Sequence, residues 1–241
     1  MKFEKNLHPA TLIKRYKRFL ADVEMPDRNI TTVHCPNSGS MMGLCAAGND
    51  VMLSTSDNPK RKYPRTLEMI KVGGNWVGIN TMRTNPLVRE AIERGKIHEI
   101  GIVDTIQPEV TVSDRSRLDF LLKRGNQQIY LEVKNCTLAE NGIAMFPDAV
   151  TTRGTKHLEE LISLKKAGHL AMVLFCVQRA DAAQFSPAAH IDPLYAETLA
   201  RACQQGVQAL AYQADVSPQA IEIIRRLEII LPDKASRSNN Y

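Results

Sequence analysis

No apolar run in the 241 residues reaches the length needed to cross a bilayer. The opening residues, M-K-F-E-K-N-L-H-P, lack the apolar core of a secretion signal. Cysteine is sparse. Its five positions (Cys35, Cys45, Cys136, Cys176 and Cys203) form neither C-x-x-C nor C-x-x-H, which argues against a disulfide framework and a structural zinc site. They read most simply as small buried apolar residues. Aromatics make up only 5% of the chain. No internal repeat, low-complexity segment or helix-turn-helix pattern is evident, so operator reading by a recognition helix is not expected. The expectation left by these absences is a cytoplasmic, thiol-reduced protein with no membrane partner.

What is present suits one or two globular domains. Hydrophobic residues are 44% and charged residues 24%, enough to build a sizeable core. The charge is unevenly placed. Residues 1–82 carry 12 Lys+Arg against 7 Asp+Glu, whereas residues 83–241 carry 19 of each. The whole excess of +5 therefore lies in the first third. That asymmetry fits a polyanion-facing module joined to a neutral one, and equally a modest aid to solubility.

Residues 1–82 read as short strands between Gly and Pro turns. Residues 11–25 fit a helix or a strand, with strand favoured because the turn residues Pro26 and Asp27 precede the β-rich Thr31, Thr32 and Val33. Residues 51–56, 66–72 and 76–80 continue the series. About five such strands predict a small OB-like barrel. Arg15, Lys17 and Arg18 surround Tyr16 and Phe19, and Lys60, Arg61, Lys62 and Arg65 surround Tyr63. Basic side chains interleaved with aromatics suit phosphate contact and base stacking. Phe19 and Trp76 are expected in the core.

Residues 83–232 change character, and 233–241 form a polar tail expected to be disordered. Asn85 is the expected cap of a helix with Pro86 in its first turn, which carries Glu90 and Glu93 and ends near Gly95. A short strand at 110–112, a hairpin at 117–134, a loop at 135–146, a helix at 155–167 and a central apolar strand at 171–177 follow. A helix at 192–205, a strand at 207–212 and a final helix from Ser217-Pro218 complete the reading. The hairpin R-L-D-F-L-L-K-R-G-N-Q-Q-I-Y-L-E-V-K turns at Gly125-Asn126. A turn there sets Asp119 opposite Glu132. Two facing carboxylates repel, so a positive group should lie between them: Lys134, or better a divalent cation taking hard oxygen ligands.

Asp119, then Glu132-Val133-Lys134 on the next strand, resembles the D…(D/E)xK pattern of PD-(D/E)xK nucleases. H-C-P-N-S-G-S-M at 34–41, S-R-L-D-F at 116–120, F-P-D-A-V-T at 146–151, Arg153-Gly154 and Lys156-His157-Leu158 together resemble the sugar fermentation stimulation protein A (SfsA) family. The likeness runs from about residue 11 to 231. It implies a two-domain α/β (α+β) protein: an OB-like barrel, then a PD-(D/E)xK nuclease-like domain with a mixed sheet. It implies DNA binding linked to regulation of sugar (maltose) metabolism, with RNA left open as a partner; the missing helix-turn-helix makes that binding largely sequence-nonspecific.

In that setting Asp119, Glu132 and the Val133 carbonyl are expected to hold Mg²⁺ or Mn²⁺, with Lys134 beside the water or the phosphate. Glu90 is the expected helix-borne glutamate of such sites. Arg153, Lys156 and His157 are expected to meet phosphate near a helix N-terminus, and Arg117 on the hairpin is a further expected nucleic-acid contact. Asp148 reads as a turn residue. Two functions remain: an Mg²⁺-dependent nuclease, or a catalytically idle DNA-binding regulator. The oligomeric state is open.

Overall fold

The computed structural model describes residues 1–113 and 116–231, so the expected tail at 233–241 lies outside the described residues. The first six strands are β1 (His8–Tyr16), β2 (Leu20–Glu24), β3 (Ile30–His34), β4 (Asp50–Thr55), β5 (Arg65–Val72) and β6 (Asn75–Gly78). They order as β3-β2-β1-β4-β5-β6, and a parallel bridge between His34 and Thr66 joins β3 to β5. That bridge closes β1–β5 into a five-stranded OB barrel. Alternation along the strands fills it with Leu12, Val23, Val33, Val51, Leu53, Leu67 and Ile70.

The expected strand at 11–25 is two strands. Lys17 and Arg18 take positive φ (50° and 63°) and fold the chain back on itself. This turn puts Phe19 outside at 53% exposure, correcting its placement in the core. Trp76 is partly buried, but against the second domain's core rather than the barrel's. Met52 and Met69 join that same second core, so the barrel's outer wall is part of the domain junction.

A 3₁₀ turn (Thr81–Arg83) leads to α1 (Thr84–Glu93). The second sheet holds β7 (Thr105–Ser113), β8 (Ser116–Arg124), β9 (Gln127–Cys136), β10 (Leu138–Glu140), β11 (Ile143–Phe146), β12 (Leu170–Val177), β13 (Gln184–Pro187), β14 (Gln208–Val216) and β15 (Ile221–Ile229). Its order is β10-β11-β13-β15-β14-β12-β9-β8-β7, and it mixes parallel and antiparallel pairs. Two further helices, α2 (Thr152–Lys166) and α3 (Pro193–Gln204), pack on one face through Leu158, Leu161, Ile162, Tyr195 and Leu199. Helix α1 packs on the other face through Leu87, Val88, Ala91 and Ile92. Strand β12 serves both: Met172, Leu174 and Cys176 face α1, while Val173, Phe175 and Val177 face α2 and α3.

Several elements differ from the sequence reading. The expected final helix is strand β15: Ile221 and Ile223 alternate with the exposed Glu222 and Ile224 and pack into the α1 core, and past a bulge Leu227 packs into the opposite one. Ser217 closes a turn onto Ala220 instead of capping a helix. The expected loop at 135–146 contains the β10–β11 hairpin, turned by Asn141 and Gly142 at positive φ. Strand β7 is longer than 110–112, and it tolerates Pro108 because it is the sheet's edge. Strand β13 is only four residues long, too short for its alternation to announce it.

Candidate active site

The hairpin turns at Gly125-Asn126 as its sequence requires, pairing Arg124 with Gln127 and Phe120 with Leu131. One step further the ladder opens. Asp119 pairs with neither neighbour: β8 ends its pairing with β9 at Phe120, and its pairing with β7 passes from Phe120 to Leu118. Across from it on β7, Glu109 has a φ of 52°. The local kink is bulge-like, and it re-aims side chains. Phe120 and Leu122 face the α1 core, whereas Leu118, two residues away, joins the opposite one. In the gap, Asp119 Oδ2 accepts the Val133 backbone N–H at 2.8 Å. Its other oxygen, Oδ1, accepts the Asn85 side-chain amide at 2.8 Å. Asn85 therefore does not cap α1, as expected from the sequence; it orients the aspartate.

Glu132 lies in the middle of β9, 3% exposed. Its Oε1 accepts from Lys134 Nζ at 2.6 Å and from His157 Nδ1. With Nδ1 donating, His157 Nε2 is left to accept from Arg153 Nε at 3.4 Å. The second oxygen, Oε2, is buried and has no hydrogen-bond partner among the described residues. Burial pushes the Glu132 pKa up, but the His157 hydrogen bond and the Lys134 charge outweigh it and hold the carboxyl below its ordinary value. Asp119 goes the other way. Burial, and then the charge of Glu132, raise its pKa against the opposing pull of the Val133 and Asn85 bonds. Two neighbouring carboxylates thus differ in environment, and their mutual repulsion is only partly relieved by Lys134.

Both groups line a cleft of about 690 Å³ at the domain junction, together with Lys134, Asn85, Asn135, Glu109 and Arg153. The barrel contributes Asn37, Ser38 and Gly39 to its wall. Asp148 proves to be more than a turn residue: its Oδ2 accepts the Met41 N–H at 2.8 Å and its carbonyl accepts Ser40 Oγ at 2.6 Å, tying the barrel to the second domain. Sequence reasoning missed Asn85 and the cleft-facing role of residues 37–39. The P-N-S-G-S string has the composition of an ordinary turn, so nothing in it announced the latter.

The donor set is compatible with a hard cation. Among the described residues no three His, Cys, Asp or Glu side chains gather around one point. Two carboxylates with an unpartnered buried oxygen suit an ion that keeps several waters and binds substrate phosphate, which is the habit of Mg²⁺ rather than Zn²⁺. Val133 also lines this cleft.

Other expected site residues lie elsewhere. Glu90 is not in the cleft; it pairs with the Met1 amine at 2.8 Å and with Arg94 at 2.7 Å, because its face of α1 looks toward the N-terminus. His157 is 4% exposed and turned toward Glu132, whose carboxylate it holds. Arg15 is consumed by four backbone carbonyls, those of Arg18, Asn37, Gly39 and Ser40, and is not an open phosphate ligand. Lys17, Arg18, Lys60 and Lys62 are exposed, with Lys62 Nζ 5.5 Å from the Tyr63 ring centroid. Arg61 contacts His34 at 3.4 Å, and Arg65 opens β5. None of these six lines the cleft. Arg117, Arg153, Lys156 and His157 border a second cavity of about 520 Å³. Arg153 belongs to both cavities and links them.

Comparison with known proteins bears on this geometry. The family model described as "Sugar fermentation stimulation protein RE domain" matches residues 82–220, and "SfsA N-terminal OB domain" matches residues 13–79. A sugar fermentation stimulation protein homolog from Desulfotalea psychrophila is 58% identical over 93% of this chain and 95% of its own length. One from Citrifermentans bemidjiense is 48% identical over 96% of this chain and 100% of its own. The solved structure of SfsA from Pyrococcus furiosus in complex with Ca²⁺ is 26% identical and superposes with a TM-score of 0.88, covering 95% of this chain and 98% of that one.

Proposed function

Because this chain belongs to the sugar fermentation stimulation protein (SfsA) family, we propose that it is a DNA-binding protein with a divalent-metal-dependent phosphodiesterase site in its junction cleft. The single observation that supports this most is the unpartnered, buried Oε2 of Glu132 beside Asp119. A buried carboxylate oxygen without a partner costs free energy unless something positive comes to it. The Ca²⁺ in the structure of the Pyrococcus furiosus relative is in keeping with a hard-cation site.

Each residue then has a task. Asn85 and the Val133 N–H fix Asp119 so that its remaining lone pairs face the cleft. His157 and Lys134 fix Glu132 through Oε1, leaving Oε2 available. The Val133 carbonyl is a third oxygen for the ion. A bound Mg²⁺ or Mn²⁺ supplies Lewis-acid polarisation of the phosphoryl oxygen and a more acidic water. Lys134, inside the cleft, stabilises charge developing on the phosphate. Arg153 and Arg117, beside Lys156, continue a basic path away from the carboxylates for the neighbouring backbone.

One observation favours the idle regulator as a second reading: Lys134 already neutralises Glu132 from 2.6 Å. Incubation of supercoiled, linear and branched DNA with Mg²⁺ or Mn²⁺ separates the two. The nuclease reading expects cleavage by the wild type that is lost in Glu132→Ala and Lys134→Ala. Cleavage surviving both substitutions contradicts the assigned site, and intact binding without cleavage of any substrate supports the regulator.

A further inference from the structure

The P-N-S-G-S string at 36–40 has no part in the site described so far, yet it walls the cleft. Its backbone is held in an unusual way. The Arg15 guanidinium donates to the carbonyl oxygens of Asn37 (2.7 Å), Gly39 (2.8 Å) and Ser40 (3.1 Å). Arg15 does not itself line the cavity.

In a trans peptide the carbonyl of one residue and the N–H of the next point in opposite directions. With those three carbonyls drawn to Arg15, the N–H groups of Ser38, Ser40 and Met41 are turned away from it. Met41 shows the result: its N–H donates to the carboxylate of Asp148 at 2.8 Å. The N–H side of the loop therefore already holds one anion. Among the described residues the N–H groups of Ser38 and Ser40 have no acceptor. Ser38 is exposed and lies in the cleft wall, so its N–H and hydroxyl are open to a ligand.

Side-chain hydrogen bonds also tie the loop down. Asn37 donates to the Ile79 carbonyl at 3.2 Å, Thr81 Oγ1 donates to the Pro36 carbonyl at 2.6 Å, and Asn37 Oδ1 accepts the Gly39 N–H at 2.9 Å. A Cβ on Gly39 would stand 3.0 Å from Asn37 Oδ1 and 3.1 Å from Asp148 Oδ2, so a side chain there would push on both anchors. Backbone N–H groups fixed around a concave edge are an anion site whose donors need no reorganisation.

We propose that residues 37–40 form a phosphate cradle supplied by the barrel. The Ser38 N–H and hydroxyl take a non-bridging oxygen of a phosphodiester adjacent to the one at Asp119 and Glu132. The inference rests on the reading of the cleft as a nucleic-acid site and adds how the strand is held from the barrel side. Asp148 closes the cradle from Gly39 to Met41, since its own negative charge keeps a phosphate from that part of the loop and leaves the Ser38 end open. Binding through the cradle needs both domains and reads no base, which suits a sequence-nonspecific substrate.

The full chain, labelled with ¹⁵N, is titrated with a short oligothymidylate in a Ca²⁺ buffer and followed by amide spectra. The Ser38 amide proton is expected to move downfield, while that of Met41, already bonded to Asp148, stays in place. In parallel, Ser38→Asp is expected to weaken oligonucleotide binding by about tenfold, equivalent to about 1.4 kcal/mol. Ser38→Ala, which keeps the N–H, is expected to weaken it less. Movement of the Arg153 or Lys134 signals without Ser38 overturns the cradle and leaves the cleft reading intact. No movement of any cleft signal overturns both.

Discussion

Replacing His157 with leucine tests whether this residue holds the acidic site together. The ring is 4% exposed and its Nδ1–H is one of two donors to Glu132 Oε1. Leucine fills similar space and offers no donor, so Glu132 keeps only Lys134. Losing a hydrogen bond to a buried charge costs about 1.5–3 kcal/mol. For a chain of this size each kcal/mol moves the melting temperature by about 2–4 °C, so the expected drop is roughly 3–12 °C. The pH dependence identifies the partner. Because the folded-state pKa of Glu132 is held below its unfolded value near 4.5, its stabilising contribution is present above that pH and is lost as pH falls through the folded pKa. Melts by circular dichroism in EDTA should therefore show the gap between wild type and His157→Leu largest near neutral pH and closing below about pH 4. A variant as stable as wild type, or a gap that stays constant into acid, refutes the assignment of His157 to Glu132.

Other expectations follow from where the structure puts charged groups. Glu90→Ala should leave any cleavage within about twofold, because its carboxylate is spent on Met1 and Arg94; a loss of a hundredfold would bring Glu90 back to the reaction. Reversing the charges at Lys60, Arg61 and Lys62 should weaken DNA binding for all sequences alike. It should also flatten the salt dependence, by about one unit of slope for each phosphate no longer neutralised. Unchanged affinity and slope would remove the barrel loop from the docking surface.

The sequence made some of this visible and hid the rest for physical reasons. The barrel was legible because its strands are short, alternate cleanly and are separated by Gly and Pro turns. The Gly125-Asn126 turn fixed the hairpin register by counting, and that register is observed. Strand β15 was missed because Ser217-Pro218 imitates a helix start, while the partners that hold the following isoleucines in a strand, β14 and β13, are set by the tertiary fold. Phe19 was misplaced because alternation was carried through a turn whose two positive φ values no pattern announces. At the site, the pair Asp119 and Glu132 came from local spacing. Asn85, His157 and Asp148 did not, because each acts across 34, 25 and 107 residues of chain. Contacts of that range depend on the tertiary fold. Arg15 shows the opposite error: basic residues beside aromatics suggested a nucleic-acid face, but a guanidinium also satisfies carbonyls, and here it does so four times.

The claim on which the functional reading turns is that one divalent ion binds between Asp119 and Glu132. Calorimetric titration of the metal-free protein with Mn²⁺ tests it directly. The account predicts one site per chain in the wild type, lost in Asp119→Ala and in Glu132→Gln while Glu90→Ala retains it. Equal Mn²⁺ binding in all four proteins, or none in the wild type, contradicts it.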